Sequence, residues 1–332
     1  YALSDEQLKP YFRLEDCIDA VFSLAGRLYG ISFEERKDIP VYHKDVKVYD
    51  VKDADRSHLA LFYADFFPRA SKRGGAWMTE FRGQSIRNGV EERPLVSIVT
   101  NFSKPTETAP SLLTHDELCT FLHEFGHSLH GMFAEGRYTS LCGTNVSRDF
   151  VELPSQIMEN WAFEPEYLNS FARDYRSGEV IPAELVERIV RAKNYLAGYY
   201  QVRQLDFGTL DMAWHTLTAL PEEDAAEFEK KVLAPSAVMP KVPGTAISTA
   251  FNHIFSGGYS AGYYSYKWAE VLEADAFSLF KEKGIFDRET ASSFRTNILS
   301  KGDTEDPAVL YRRFRGRDPE PSALMEKLGL TE

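Results

Sequence analysis

Five consecutive residues near the middle of the chain have the types and spacing for hydrolytic chemistry: His123-Glu124-Phe125-Gly126-His127, an HExxH. On an α-helix each residue turns by about 100°, so His123 and His127 project only ~40° apart, one turn apart along the axis. Two imidazole nitrogens can then reach one zinc ion at about 2.0–2.1 Å. Glu124 falls beside the metal rather than on it, where its carboxylate can take a proton from a water that the metal activates. A catalytic zinc also needs a third protein ligand and an open position. His130 is a poor third ligand, because seven residues from His123 carry it ~10.5 Å along the axis, and it reads as structural. Met132 and Phe133 stand where a metzincin would place its third histidine. The next carboxylates on a helical segment are Glu152 and Glu159. One can complete the ligand set and the other can orient a ligand histidine through its free ring N–H, and spacing leaves the assignment open.

The elements that must position these groups are partly visible. Thr114 can cap the metal helix, with Glu117 three residues on to complete a capping box. Leu118, Phe121, Leu122, Phe125 and Leu129 form its apolar stripe. Gly126 costs about 1 kcal/mol in a helix interior, so another element is expected to approach closely there. Residues 4–30 carry a helical period that Gly30 can stop. Strand-like runs separated by Gly, Asn and Pro fill 40–102 and predict a small sheet. Helical spacing returns over 114–134, 151–176, 182–217, 222–233, 264–283 and 288–300. The expected fold is mainly α with a small β-sheet beside the active site, an α+β arrangement. Along the chain it divides into a helical region 1–35, a sheet region 40–102, metal-binding helices 111–176 and a helical region 180–332. That last region carries an irregular stretch, 234–263, rich in Pro, Gly, Ser and Tyr and long for a loop.

The irregular stretch leads into a tyrosine-rich run, 251–266. Gly257 and Gly258 permit close backbone approach, and Tyr259, Tyr263, Tyr264 and Tyr266 offer phenolic donors on short rigid arms. Donors of this kind suit an oxyanion that develops during acyl transfer. Aromatic core packing is the competing reading, strongest for Tyr264. A phosphate-loop reading of 257–262 lacks the preceding strand and the Lys-Ser/Thr ending.

Composition sets outer bounds. The chain has 332 residues, 43% hydrophobic and 13% aromatic, which predicts one large domain or two small ones with ample material for a core and excludes global disorder. Its net charge of −12 disfavours nucleic acid and anionic membranes as partners. No apolar run approaches the ~20 residues of a membrane span. Cys17, Cys119 and Cys142 are too few and too scattered for a disulfide framework, and they read as small buried residues in a reducing compartment. Tyr311 to Arg317 is a basic island, expected to pair with acids or to bind a carboxylate. The chain opens Tyr1-Ala2-Leu3, which reads as an internal start.

These motifs together resemble the thimet oligopeptidase family of zinc peptidases, which includes oligopeptidase A and the bacterial peptidyl-dipeptidases. The resemblance rests on HExxH followed after 24 residues by Glu152-Leu153-Pro154-Ser155-Gln156 and Glu159-Asn160-Trp161. It extends to Lys72 through Met78, to Ser97 through Phe102, to His253 through Trp268 and to Phe314-Arg315-Gly316-Arg317. It implies a zincin-like fold and one zinc ion held by His123, His127 and Glu152. Glu124 becomes the general base, and Glu159 is left to orient a ligand. His253, Tyr259 and Tyr266 are implied as transition-state contacts, with Tyr263, Gly257 and Gly258 at the substrate. Family members are longer, so the chain is expected to be the C-terminal catalytic portion of a larger enzyme.

The run Cys142-Gly143-Thr144-Asn145-Val146 is most similar to the peptidyl-dipeptidase branch, with Cys142 in place of serine, a near-isosteric swap or else a redox-sensitive thiol. The expected activity is therefore release of C-terminal dipeptides from oligopeptides. Internal cleavage like that of oligopeptidase A is the alternative, and a non-catalytic zinc module is a third reading that an intact Glu124 opposes. Dipeptide release needs a cationic or tyrosyl anchor for the substrate carboxylate; Arg82, Arg148 and the Arg312–Arg317 group stand open, as does an anchor in the preceding portion that the resemblance implies. No nucleic acid, membrane or obligate protein partner is expected. The expected location is the cytoplasm, or the periplasm if a preceding segment carries an export signal.

Overall fold

A computed structural model describes residues 3–330. Alternation along the strands decides where the main core forms. Ala60, Phe62, Ala64, Val96 and Ile98 turn to one sheet face and join the large core, while Leu61, Tyr63 and Leu95 turn to the other and a small cluster. The five-stranded sheet uses β1 (Ser32–Glu35), β2 (Lys47–Lys52), β3 (His58–Asp65), β4 (Trp77–Arg82) and β7 (Leu95–Val99), while β5 (Ser85–Arg87) and β6 (Val90–Glu92) make a separate hairpin. Strand order is β1-β2-β3-β7-β4, with only β3 and β7 parallel, Phe62 opposite Val96.

Before the sheet come one helical turn, α1 (Asp5–Leu8), and a full helix, α2 (Leu14–Tyr29), which ends on Gly30 at φ 77°. The helix expected over 4–30 is therefore broken. Pro10 cannot donate to a helix, and the extended Phe12–Arg13 segment pairs instead with the approach to the metal helix. Leu14 N–H donates to Ser111 O at 2.9 Å and Leu113 N–H to Phe12 O at 2.8 Å. Region 1–35 is not helical throughout either, because β1 follows Gly30 and stacks Phe33 on Phe22 at 3.9 Å.

The remaining helices are α3 (His115–Met132), α4 (Arg148–Val151), α5 (Leu153–Glu159), α6 (Pro165–Phe171), α7 (Ala183–Ala192), α8 (Ala197–His215) and α9 (Ala225–Leu233). They continue with α10 (Asn252–Phe255), α11 (Tyr264–Lys283), α12 (Arg288–Phe294), α13 (Pro307–Arg315) and α14 (Ser322–Lys327). Two expected helices are split. Glu164-Pro165 divides 151–176, and Leu196, at φ 55°, divides 182–217. The fold is thus mainly α with a small mixed sheet. The basic island is an ion-pairing face. Arg317 lies 2.6 Å from buried Asp275, which also accepts from Tyr311 Oη at 2.6 Å, and Arg313 pairs with Glu305 at 2.6 Å. Among the described residues no helix is long and apolar enough to cross a membrane.

The metal helix α3 rests its stripe on the sheet, Phe125 edge-on to Phe62 at 5.8 Å and Phe121 to Phe66 at 5.1 Å. On its other side α5 comes close at Gly126. A Cβ there would lie 2.1 Å from Pro154 O and 2.6 Å from Ser155 Cα. Gly126→Ala therefore trades about 1 kcal/mol of helix propensity against overpacking of about 1–3 kcal/mol or more, since backbone cannot step aside. Thermal unfolding of this variant is expected at a lower midpoint than the parent; a raised midpoint would refute the close approach.

Candidate metal centre

Local sequence builds the helix that bears the histidines. Glu117 N–H donates to Thr114 Oγ1 at 3.0 Å and Thr114 N–H to Glu117 Oε2 at 2.8 Å, the reciprocal box the sequence predicts. From that start His123 and His127 emerge on one face, ring centroids 5.0 Å apart. Glu152 sits at the joint between α4 and α5, where the α5 crossing at Gly126 turns it towards both rings. Its Oε2 lies 3.3 Å from His123 Nε2 and 3.2 Å from His127 Nε2. The three donor atoms fall within 4.8 Å of one another. Glu159, about two turns further along, lies beside the opposite nitrogen, its Oε1 2.7 Å from His123 Nδ1. A proton on Nδ1 donated to Glu159 leaves the Nε2 lone pair directed at the centre. The structure thus separates the two glutamates that spacing left open.

Both oxygens of Glu152 are held. Ser155 Oγ donates to Oε2 at 2.8 Å and Tyr259 Oη donates to Oε1 at 2.6 Å. Burial pushes the Glu152 carboxyl up, but the imidazoles of His127 and His123 hold it well below the ordinary carboxylate range. Burial likewise opposes charge on His123, yet Glu152 and Glu159 hold its imidazole well above the usual value. The carboxylates therefore favour positive charge where the donors converge, and a cation satisfies that preference. Glu124 is buried beside them, and its Oε2 has no hydrogen-bond partner. Burial raises its carboxyl pKa, with His123 and His127 only partly opposing. A desolvated, unpartnered carboxylate oxygen next to three converging donors suits a base that has not yet met its proton.

The tyrosine-rich loop closes the site from the far side. His253, Gly257, Tyr259 and Tyr266 line the same cleft as His123, Glu124, His127 and Glu152. Tyr259 and Tyr266 stack at 4.7 Å, and burial pushes both phenols up, so they remain donors. Gly258 takes φ 84°, and a Cβ there would meet Arg148 Nη2 at 3.2 Å. Tyr263 stands behind the cleft wall instead of on it. Its ring packs against Phe207 and Phe251, and its hydroxyl donates to Gln204 at 3.4 Å. Tyr264 is not a core aromatic; it is exposed and donates to Asp149 at 3.0 Å.

Of the candidate anchors, Arg148 lines the cleft, whereas Arg82 donates to Arg93 O at 2.9 Å and the 312–317 group is committed to acids. His130 is buried outside the donor set, its imidazole pushed down to about 3 by burial. Cys142 is buried and donates to Gln84 Oε1 at 3.2 Å, and burial pushes its thiol up, away from the reactive thiolate. Ser155 has no role assigned by sequence, and its only signal is a hydroxyl three residues after Glu152.

An HExxH helix backed by a sheet and crossed by a second helix bearing a glutamate defines a zincin-like metallopeptidase architecture. Residues 1–330 match peptidase family M3, and the chain belongs to that family, whose members are metallopeptidases and so imply a metal at this centre. It is 44% identical over 338 residues to oligopeptidase A of Escherichia coli K12. It is 46% identical over 333 residues to the dipeptidyl carboxypeptidase of Salmonella typhimurium LT2. Both alignments take in 99% of this chain and 49% of the relative, so the chain spans about half the length of either. The fold is shared with the M32 carboxypeptidase of Deinococcus radiodurans R1, at a TM-score of 0.61 and 18% identity, covering 99% of this chain and 62% of that one. The near-equal identities leave the choice between the two named activities to the chemistry of the cleft.

Replacing Glu159 with Ala removes the partner of His123 Nδ1 and leaves the three donors in place. Competition against a chromophoric chelator should then show metal affinity lowered by about 10–100-fold. Affinity equal to the parent's would mean that Glu159 does not orient the ligand.

Proposed function

We propose that the chain carries the catalytic centre of a zinc peptidase that removes dipeptides from the free C-termini of oligopeptides. His123, His127 and Glu152 hold one zinc ion in this reading, a donor set that suits zinc and leaves a position open. Zinc in that place supplies a Lewis acid for the scissile carbonyl and lowers the pKa of a water towards ~7. The observation that carries the reading is the buried, unpartnered Oε2 of Glu124 beside the donors. Glu124 accepts the proton of the attacking water and passes it to the leaving amine. Tyr266 and His253 aim donors at the developing oxyanion, each worth about 3 kcal/mol, and Tyr259, whose one hydroxyl proton rests on Glu152 Oε1, turns to join them when the peptide enters. Gly257 and Gly258 let the loop backbone approach the peptide, and Tyr263 supports the Tyr266 ring from behind at 5.1 Å.

Arg148 is the anchor for the substrate carboxylate. Its guanidinium lies 5.0 Å over the Tyr259 ring, and among the described residues it has no carboxylate partner, so its charge is free for the peptide. Internal cleavage is the second reading, favoured by the 44% identity to oligopeptidase A.

In the full-length enzyme, Glu124→Gln should keep one zinc per chain and lose about 10²–10⁴-fold in hydrolysis rate. A parental rate would remove Glu124 from the reaction. Mass analysis of products from a free-acid peptide should show successive dipeptides, with cleavage lost on C-terminal amidation. Arg148→Ala should raise KM for the free acid selectively. Internal cuts indifferent to amidation would replace dipeptide release with the second reading.

A further inference from the structure

Two buried carboxylates outside the metal centre converge on the loop that carries His253, Tyr259 and Tyr266. Asp211, one turn before the C-terminal end of α8, accepts the N–H of Ala261 on Oδ1 at 2.9 Å. Its Oδ2 accepts those of Gly262 at 2.9 Å and Tyr263 at 2.8 Å. His215, one turn along α8, places Nδ1 2.7 Å from Oδ1. At the other end of the loop Glu229, from α9, accepts from Ser248 N–H at 2.8 Å and Ser248 Oγ at 2.9 Å. Both carboxylates are almost fully buried, so neither spends its charge on solvent.

The Asp211 bonds fall on three consecutive donors just ahead of α11. Backbone N–H groups at a helix start have no partner within the helix, and a carboxylate there also meets the positive end of the helix dipole. Ala261 stands at φ 50°, a left-handed conformation that a residue with a side chain adopts only where its surroundings impose it. Tyr259 lies two residues before this turn and Tyr266 three residues after it, so the angle of the turn sets where both hydroxyls reach.

We propose that Asp211 is a positioning residue for the reaction. Its carboxylate fixes the Ala261–Tyr263 turn and, through it, the placement of the Tyr259 and Tyr266 hydroxyls at the metal centre. This rests on the reading of those tyrosines as donors to the reaction. An amide in place of the carboxylate sets its NH₂ against a backbone N–H and loses one side of the clamp.

The test compares full-length zinc-loaded parent, Asp211→Asn, Tyr259→Phe and the double variant, with kcat expressed per zinc-bound site. Asp211→Asn should lower kcat by about 100-fold, the scale of a misplaced catalytic group, while KM stays near the parent's. The double variant should be no slower than the slower single, because both changes disable one arrangement. Losses that multiply, or a parental kcat for Asp211→Asn, overturn the proposal and leave the peptidase reading standing. A parental kcat for Tyr259→Phe overturns both the tyrosine reading and the proposal. If Asp211→Asn does not fold, Asp211→Glu, which keeps the charge and changes its reach, carries the same expectations.

Discussion

Because Gly126 has no side chain, the backbone of α5 can lie where a methyl group would otherwise be, 2.1 Å from the position of that missing Cβ to Pro154 O. The rest of the centre depends on this approach. Histidines one turn apart on α3 define a point in space, but only a helix held this near can bring a short glutamate side chain to the same point. Glu152, two residues before Pro154, reaches both Nε2 atoms, and Ser155, one residue after Pro154, donates back to its carboxylate. On its other side α3 is fixed by Phe121 and Phe125 against the sheet, so the two helices cannot relax apart without opening the aromatic core.

That proximity has an electrostatic consequence. Glu124 and Glu152 are buried beside two imidazoles, with the more exposed Glu159 behind them, and buried charge is costly unless paired. Each carboxylate resolves the problem differently. Glu159 pairs with His123 Nδ1, and Glu152 is shared among Ser155, Tyr259 and the two Nε2 atoms. Glu124 keeps one oxygen unpartnered. The same low-dielectric setting that makes a cation welcome raises the pKa of the Glu124 carboxyl, so both preferences share one physical cause. The tyrosine loop completes the wall and is itself tied down by carboxylates, Asp211 at one end and Glu229 at the other.

What the sequence disclosed was what is local. The HExxH spacing, the Thr114–Glu117 box and the stop at Gly30 depend on neighbours within a turn or two, and a glycine inside the metal helix signals a close approach without naming the partner; all are present. Glu152 and Glu159 could not be ranked by spacing because they share a helical face. Only the crossing point on α3 decides which reaches Nε2 and which reaches Nδ1. Pro10 signals a break locally, but the pairing of Phe12 and Leu14 with Leu113 and Ser111, about a hundred residues away, is carried by no local pattern. Tyr263 packs behind the cleft and Tyr264 stays exposed on Asp149, against expectation, because the stretch has no period to say which ring faces inward. Nothing in the residues around Asp211 marks it; its significance lies in three N–H groups about fifty residues downstream.

The central claim is that α3 and the α4–α5 joint supply three ligands to one zinc and that Glu124 stands beside them without binding it. A crystal structure of the full-length enzyme with zinc and a phosphinic peptide, which imitates the tetrahedral transition state, tests this directly. The account predicts zinc on His123 Nε2, His127 Nε2 and a Glu152 oxygen, with a phosphinyl oxygen in the open position within hydrogen-bond reach of Glu124. Zinc ligated by Glu124 or Glu159, or closed off by a fourth protein ligand, would contradict it.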